Sequence, residues 1–511
     1  MGNGDISALS ASQRLIWNAS QGANVDAYRV PLILEVAGEI EPDQLITALR
    51  LLVARHDALR IVVVVENGAP RQYIRAADQV TITSHSLSGR DLFQNFVTEL
   101  LAQPMSLEQS CFNAHVVICQ NAGGTDLYVI LDMHHLVCDG WSMQILADEF
   151  LALLEDRQLE PDPIQFIDWV EWSASLQKNE NDYAFWCQRA KTWGPESDLF
   201  ASSRRSIRVD ALTSSLSYKT WNKIEEYTRH HHVSPFEFLV MIWSQILGKH
   251  AKADHLTLAT PWSNRLDEET HGVVGCLVDT TLVRIPIDHD KDPQVLLDET
   301  KTAIRDCLGS SELGYNVISR ILLDNDVVPD SNLLIALQPP LPEIVGRRLA
   351  LTALPTPSFF AKNDLTLRIT PSAQTASDTG STARIELEFR KGIMTLSEGA
   401  DLIADFEMIL QNVINAPNQP ISHWMPKSVW RGPKQKVTAP NRSLTTDDEK
   451  RINQALEIWQ TFLRRPELDP DDNFFTAGGD SVQALRLVQH LRQAGVDCRP
   501  RDIFQYPTVR G

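Results

Sequence analysis

Apolar positions along the chain fall into two rhythms, a three-and-four spacing that marks helices and short β-rich runs that mark strands. Ile46–His56 (ITALRLLVARH) has the helical rhythm and leads into the strand-like run Leu59–Val65. Asp126–Met133 (DLYVILDM), Asn363–Ile369 (NDLTLRI) and Glu386–Phe389 are further strand-like runs. Ser234, Pro235 and Glu237 form a capping box with proline at the first helical position, which predicts a helix through FEFLVMIWSQILGKH. Met143, Leu146, Phe150 and Leu153 predict another helix, shortly after the β-run that ends at Met133. Strands and helices mix in both halves of residues 1–424, and no repeat of fixed period is present. That length exceeds the comfortable size of one core, so two α/β lobes of about 200 residues each are expected.

Charge changes the picture at one place. The 511 residues carry a net charge of −19. Residues 425–446 hold five basic residues, no acids and three prolines. This is the composition of an extended, solvated linker. The 65 residues after it carry −2, which leaves −22 on residues 1–424. An acidic body argues against nucleic-acid binding, which needs clustered Lys and Arg. Seven cysteines without a CxxC pair read as free thiols in a reducing compartment, with no disulfide or zinc framework. No run of 18 apolar residues and no signal-peptide pattern is present, so a cytoplasmic protein without membrane contact is expected.

Two short constellations carry chemistry. His134-His135-Leu136-Val137-Cys138-Asp139-Gly140 joins a strand to a helix. Histidine can exchange a proton near neutral pH, aspartate can orient a ring or pair with a cation, and glycine lets the backbone turn and leaves helix N–H groups free for an oxyanion. Adjacent histidines on a strand point to opposite faces, so a shared metal is not expected. His230-His231-His232 reads as a solvated approach to the Ser234 cap, and Cys138 as a bystander. The second constellation is Asn473–Ser481 (NFFTAGGDS), followed by Val482, Leu485, Val488 and Leu491 at helical spacing. Ser481 is thereby set at a helix N-terminus, where it could cap the helix or carry a phosphate ester.

HHLVCDG resembles the HHxxxDG signature of nonribosomal peptide synthetase condensation domains, of chloramphenicol acetyltransferase-like fold. Leu9–Trp17 (LSASQRLIW) is similar to the family's opening motif, Arg55–Arg60 (RHDALR) to RHExLR, Phe166–Trp172 to YxDYxxW, and Val274–Thr280 (VGCLVDT) to IGxFVNT with Asp279 in place of asparagine. Ser310–Ile318 and Pro329–Gln338 keep little of the family's later motifs. NFFTAGGDS resembles the DxFFxxGGDS motif of peptidyl carrier (thiolation) domains, and Glu449–Phe462 their first helix.

The resemblance implies an α/β fold of two chloramphenicol acetyltransferase-like lobes in a V-shaped body, plus a small all-α helical-bundle carrier. The divisions are 1–178, 179–424, a linker at 425–446 and the carrier at 447–511, with a last helix expected beyond. His135 would be catalytic, taking the proton of an acceptor amine or holding that amine in line. His134, Asp139 and Gly140 would support it, with Asp139 paired to Arg284. Ser481 would carry a 4′-phosphopantetheine arm attached with help from Asp480. The implied partners are an upstream donor carrier, an adenylation or other loading enzyme in trans, and a phosphopantetheinyl transferase. Amide formation is the leading reading. Release to a free nucleophile, epimerisation and a non-catalytic recruitment platform are the alternatives.

Overall fold

The computed structural model describes residues 6–425 except 21–25, 122, 177–178, 194–198, 200–207, 328, 330–331, 341, 357–361 and 373–380. Beyond that it describes 446–463 and scattered positions up to 510. Two six-stranded mixed sheets form the body. The first runs in the order Glu343–Val345, Ala350–Leu354, Leu32–Ala37, Gly124–Met133, Phe112–Asn121, Ile82–Leu87. The second runs Asp279–Pro286, His255–Trp262, Leu333–Leu337, Leu365–Pro371, Ser381–Arg390, Val209–Ser217. A three-stranded sheet of Ser7–Ala8, Ala69–Ile74 and Ile61–Glu66 flanks the first.

The elements form where the pattern places them. The helix expected at 46–56 spans Pro42–Arg55, and Leu59 and Arg60 lie in a 3-10 turn that precedes the strand Ile61–Glu66. Ser234 and Glu237 exchange the two hydrogen bonds of a capping box and open Pro235–Ala251. That helix is buried over most of its surface, which is why its sequence is nearly continuously apolar. His230 ends the helix Tyr218–His230, and His232 follows at φ +54°.

The two cores do not divide the chain at one point. Ala350–Leu354 pairs antiparallel with Leu32–Ala37, so the second half of the chain supplies two strands to the first sheet. Val273, Val274, Cys276 and Leu277 pack into the first core together with Phe166 and Trp169. A division at 178/179 therefore misassigns both segments in space, because strand pairing and burial, not sequence neighbourhood, decide their lobe.

Met425 is buried in the second core, and Thr446 opens the helix Thr446–Leu463. This helix packs Ala455 and Trp459 against Phe474, Leu487, Val488, Leu491 and Ile503, a small core separate from the other two. Trp459 and Phe474 meet edge to face at 5.1 Å.

Candidate active site

The strand Gly124–Met133 delivers the histidine loop to the edge of the first core. The His134 N–H donates to the Cys111 carbonyl at 2.9 Å, and the His135 N–H to the Tyr28 carbonyl at 2.7 Å. His134 is fully buried, and its Nδ1 accepts the Leu136 N–H at 3.2 Å, which gives that imidazole a structural task. Gln13, from the opening motif, is fully buried and donates to the Leu136 carbonyl at 3.0 Å. Gly140 opens the helix Gly140–Leu154 without a positive φ, contrary to the turn role read from sequence. The space a side chain would take there is empty, so the glycine leaves room beside the loop.

Asp139 is the centre of the brace. Its Oδ1 accepts the Ser142 N–H at 2.8 Å and the Ser142 hydroxyl at 2.7 Å. Its Oδ2 accepts the N–H groups of Leu277 and Val278 at 3.1 and 3.3 Å. Arg265 Nη2 lies 3.1 Å from both oxygens, with both side chains buried. Arg265 also donates to the carbonyls of Thr270 and Val273 at 2.7 and 2.8 Å, and its guanidinium lies over Trp141 at 5.7 Å.

The expected Asp139–Arg284 pair is therefore corrected to Asp139–Arg265. The reason is strand geometry. Asp139 is bound at Leu277 and Val278, whereas Arg284 follows six residues later along extended chain, roughly 20 Å away at 3.3 Å per residue. Arg284 instead lies over Trp193 at 5.9 Å, in a separate cleft with Arg189 and Asp306.

Ser142 completes the tie. Its hydroxyl oxygen accepts the Gly275 N–H at 3.0 Å and lies 2.9 Å from the Gly275 carbonyl, which shares the hydroxyl proton with Asp139. A Cβ on Gly275 would fall 2.2 Å from the Phe166 ring, so glycine is required by close approach. Arg55–Arg60 joins the same construction from behind. Arg55 and His56 both hold Glu149 on the loop's helix, and Asp57 caps Phe166–Ser175 through the N–H groups of Phe166 and Ile167. Four sequence motifs thus converge on one loop. Arg265 was missed because a lone arginine has no pattern of its own; its only signal is its place shortly before VGCLVDT.

His135 stands partly buried at this joint. Burial, with the Lys362 cation adding to it, lowers its pKa to about 4, against the opposing pull of Asp139 and of backbone carbonyls. The ring is therefore neutral at pH 7. Cys276 Sγ lies 3.8 Å from its Nδ1. Burial raises both Cys138 and Cys276 well above the ordinary thiol value, so neither is a ready thiolate nucleophile. Six of the seven cysteines are described, and all six are free.

Asp480 and Ser481 lie outside the described residues. The described part of their module frames them on both sides, with Phe474 before and Leu487 and Val488 after in one core. Among the described residues no group of three or more His, Cys, Asp or Glu could hold a metal ion, and no helix is long and apolar enough to cross a membrane.

The condensation-domain family model matches residues 3–428, and the phosphopantetheine attachment site model matches 453–511. The chain is 22% identical over 525 residues to chondramide synthase of Chondromyces crocatus, covering 96% of this chain and 13% of that protein. It is 22% identical to surfactin synthase subunit 1 of Bacillus subtilis, covering 81% and 12%. Cyclosporin synthetase of Tolypocladium inflatum is 24% identical, covering 60% and 2%. The chain thus spans between 2% and 13% of the length of these relatives. Among solved structures, the first condensation domain of the CDA synthetase superposes with a TM-score of 0.68 at 17% identity, covering 81% of this chain and 98% of that one. The X-domain from teicoplanin biosynthesis gives 0.69 at 17%, covering 83% and 98%. The likeness to these structures is one of fold.

Proposed function

Because the chain belongs to the condensation-domain family, with a phosphopantetheine attachment-site module behind it, we propose that it forms an amide bond between carrier-borne groups of a nonribosomal peptide synthetase. The acceptor amine attacks the carbonyl carbon of a donor acyl or peptidyl thioester. A C–N bond forms, the C–S bond breaks, and the amine proton leaves with the departing thiol. Ser481 supplies the hydroxyl for a phosphate ester to a 4′-phosphopantetheine arm, which when present offers a thiol for the acceptor; Asp480 assists its attachment by a transferase. An upstream carrier brings the donor, and a loading enzyme acts in trans.

The observation that carries this reading is a neutral His135 held at the joint between the lobes. A ring with a pKa of about 4 is a feeble base toward an ammonium near 8. It is a competent hydrogen-bond acceptor for an amine that is already partly neutral at pH 7. His135 therefore aligns the amine rather than removing its proton, and orientation of tethered reactants can lower a barrier by several kcal/mol. Asp139 and Gly140 hold the loop and the room beside it; His134 holds the loop from within.

The test loads Ser481 with an aminoacyl-pantetheine, adds a donor carrier bearing an acyl thioester, and follows the mass of each arm. Product on the Ser481 arm is expected, falling about 10²-fold in His135→Ala as the amine loses its alignment. Inversion without transfer would replace this reading with epimerisation, and transfer to a soluble nucleophile with release. No transfer by the unaltered chain would leave a recruitment platform; the X-domain of teicoplanin biosynthesis is itself solved in complex with OxyB.

A further inference from the structure

Lys362 stands at the entry to the strand Leu365–Pro371 of the second sheet, three residues before its first paired position. Its backbone is fixed there. Arg390 donates to the Lys362 carbonyl at 3.2 Å and is itself ion-paired with the buried Asp364 at 2.9 Å. The side chain, by contrast, leaves its own sheet. Its Nζ lies 5.1 Å from the ring centroid of Tyr28, whose carbonyl receives the backbone N–H of His135. Tyr28 thus holds His135 on its main chain and the lysine on its ring face, a cation–π seat.

Arg368 is engaged with Glu386 and Glu388 at 2.9 and 3.0 Å. Among the described residues no carboxylate ion-pairs with Lys362. Desolvation, with Arg368 adding to it and Glu388 and Cys276 opposing, lowers its ammonium to about 8, although the residue as a whole is exposed. The groups acting on His135 are Lys362 from the second sheet, and Asp139 and the Cys138 backbone from its own loop. Cys276 from the crossing segment touches its ring.

We propose that Lys362 is a positioning residue for His135: an ammonium delivered from the second sheet across Tyr28, which joins burial in favouring the ring as an acceptor of hydrogen bonds over a cation. The role rests on the amine-aligning function of His135 given above. It also makes the histidine's state depend on the two sheets being together, since the lysine and the ring belong to different ones.

The test uses the full chain with ¹³C-labelled histidine rings, the His135 signal being assigned by its loss in His135→Ala. In Lys362→Met, and separately in Lys362→Gln, the titration of His135 is expected to rise from about 4 but to stay below the ordinary histidine value, since burial remains, and Lys362→Arg is expected to restore the low value. The ratio of variant to parent kcat cancels the titration of the acceptor amine. It is expected to fall toward acid pH, about twofold where the pH reaches the raised His135 titration point of the variant, and hardly at all at pH 8. An unchanged His135 titration in Lys362→Met and Lys362→Gln overturns the proposal, as does a kcat ratio independent of pH. The ring titration is read without turnover. Full condensation by His135→Ala would therefore sink the amide-forming role of His135 while leaving the lysine–histidine coupling measurable.

Discussion

Asp139 and Asp279 are both buried aspartates that accept an N–H at the start of a helix, Asp139 as its N-cap and Asp279 from the strand Asp279–Pro286. Asp139 caps Gly140–Leu154, and it also holds two N–H groups of the crossing segment and the guanidinium of Arg265. Asp279 accepts the N–H of Tyr315 at 3.3 Å, at the start of Tyr315–Leu323. One carboxylate joins three elements and neutralises a buried cation; the other is placed to complement a helix dipole. The residue type and the burial are the same, so neither tells which aspartate matters more. The partners do.

The contrast breaks most visibly at Arg265. Removing one member of a buried ion pair leaves an uncompensated charge, so Arg265→Ala is expected to cost about 3–5 kcal/mol. Urea unfolding monitored by tryptophan fluorescence measures this. A loss below about 1 kcal/mol would mean that the two aspartates are equivalent after all.

Acid sharpens the contrast next, because Asp139 is the charge that favours protonation of His135. His135, His115 and His250 all have folded pKa values of about 4, lowered by burial. The unfolded chain takes up protons near pH 6.5 that the folded chain refuses until about pH 4. The unfolded state then binds more protons, so stability is full above about pH 6.5 and falls as pH drops through that window. A loss of about 1–2 kcal/mol per histidine by pH 5 is expected from denaturant midpoints across pH. In Asp139→Asn the window should reach lower pH, since the attraction that favours a charged His135 is gone; Asp279→Asn should leave it in place.

The smallest effect is Asp279→Asn itself. The asparagine oxygen can accept the same Tyr315 N–H, so the loss should stay within about 1 kcal/mol for the charge beside that helix start. A thermal melt resolves this, and a loss as large as that of Arg265→Ala would erase the distinction.

Much of the fold is legible in the sequence because its signals are local. The Ser234 capping box, the helix from Gly140 and the strand to Met133 each declare themselves within a few residues. The site is legible for the same reason where a motif is compact, as at His134–Gly140. What stays hidden is pairing at a distance. Glu343–Val345 and Ala350–Leu354 are short strands that the sequence pattern does not single out, and period-two alternation would not name their partner sheet in any case. Asp139 calls for a cation, but the resemblance points to the wrong arginine, because extended chain carries Arg284 away from the loop while Arg265 folds back onto it. Lys362 gives no sequence signal at all; its meaning comes from Tyr28, more than three hundred residues earlier in the chain.

The two strands borrowed from the second half of the chain set a schedule for synthesis. The strand Leu32–Ala37 lies between Ala350–Leu354 and Gly124–Met133, so until residue 354 has left the ribosome one of its edges is bare. At roughly 5–20 residues per second, the interval between residue 178 and residue 354 lasts about 10–35 seconds. Over that time a nascent first lobe presents an open, largely apolar strand edge, the feature that invites pairing with a foreign chain. The same exchange of strands that lets two lobes build one site makes the first lobe wait for the second.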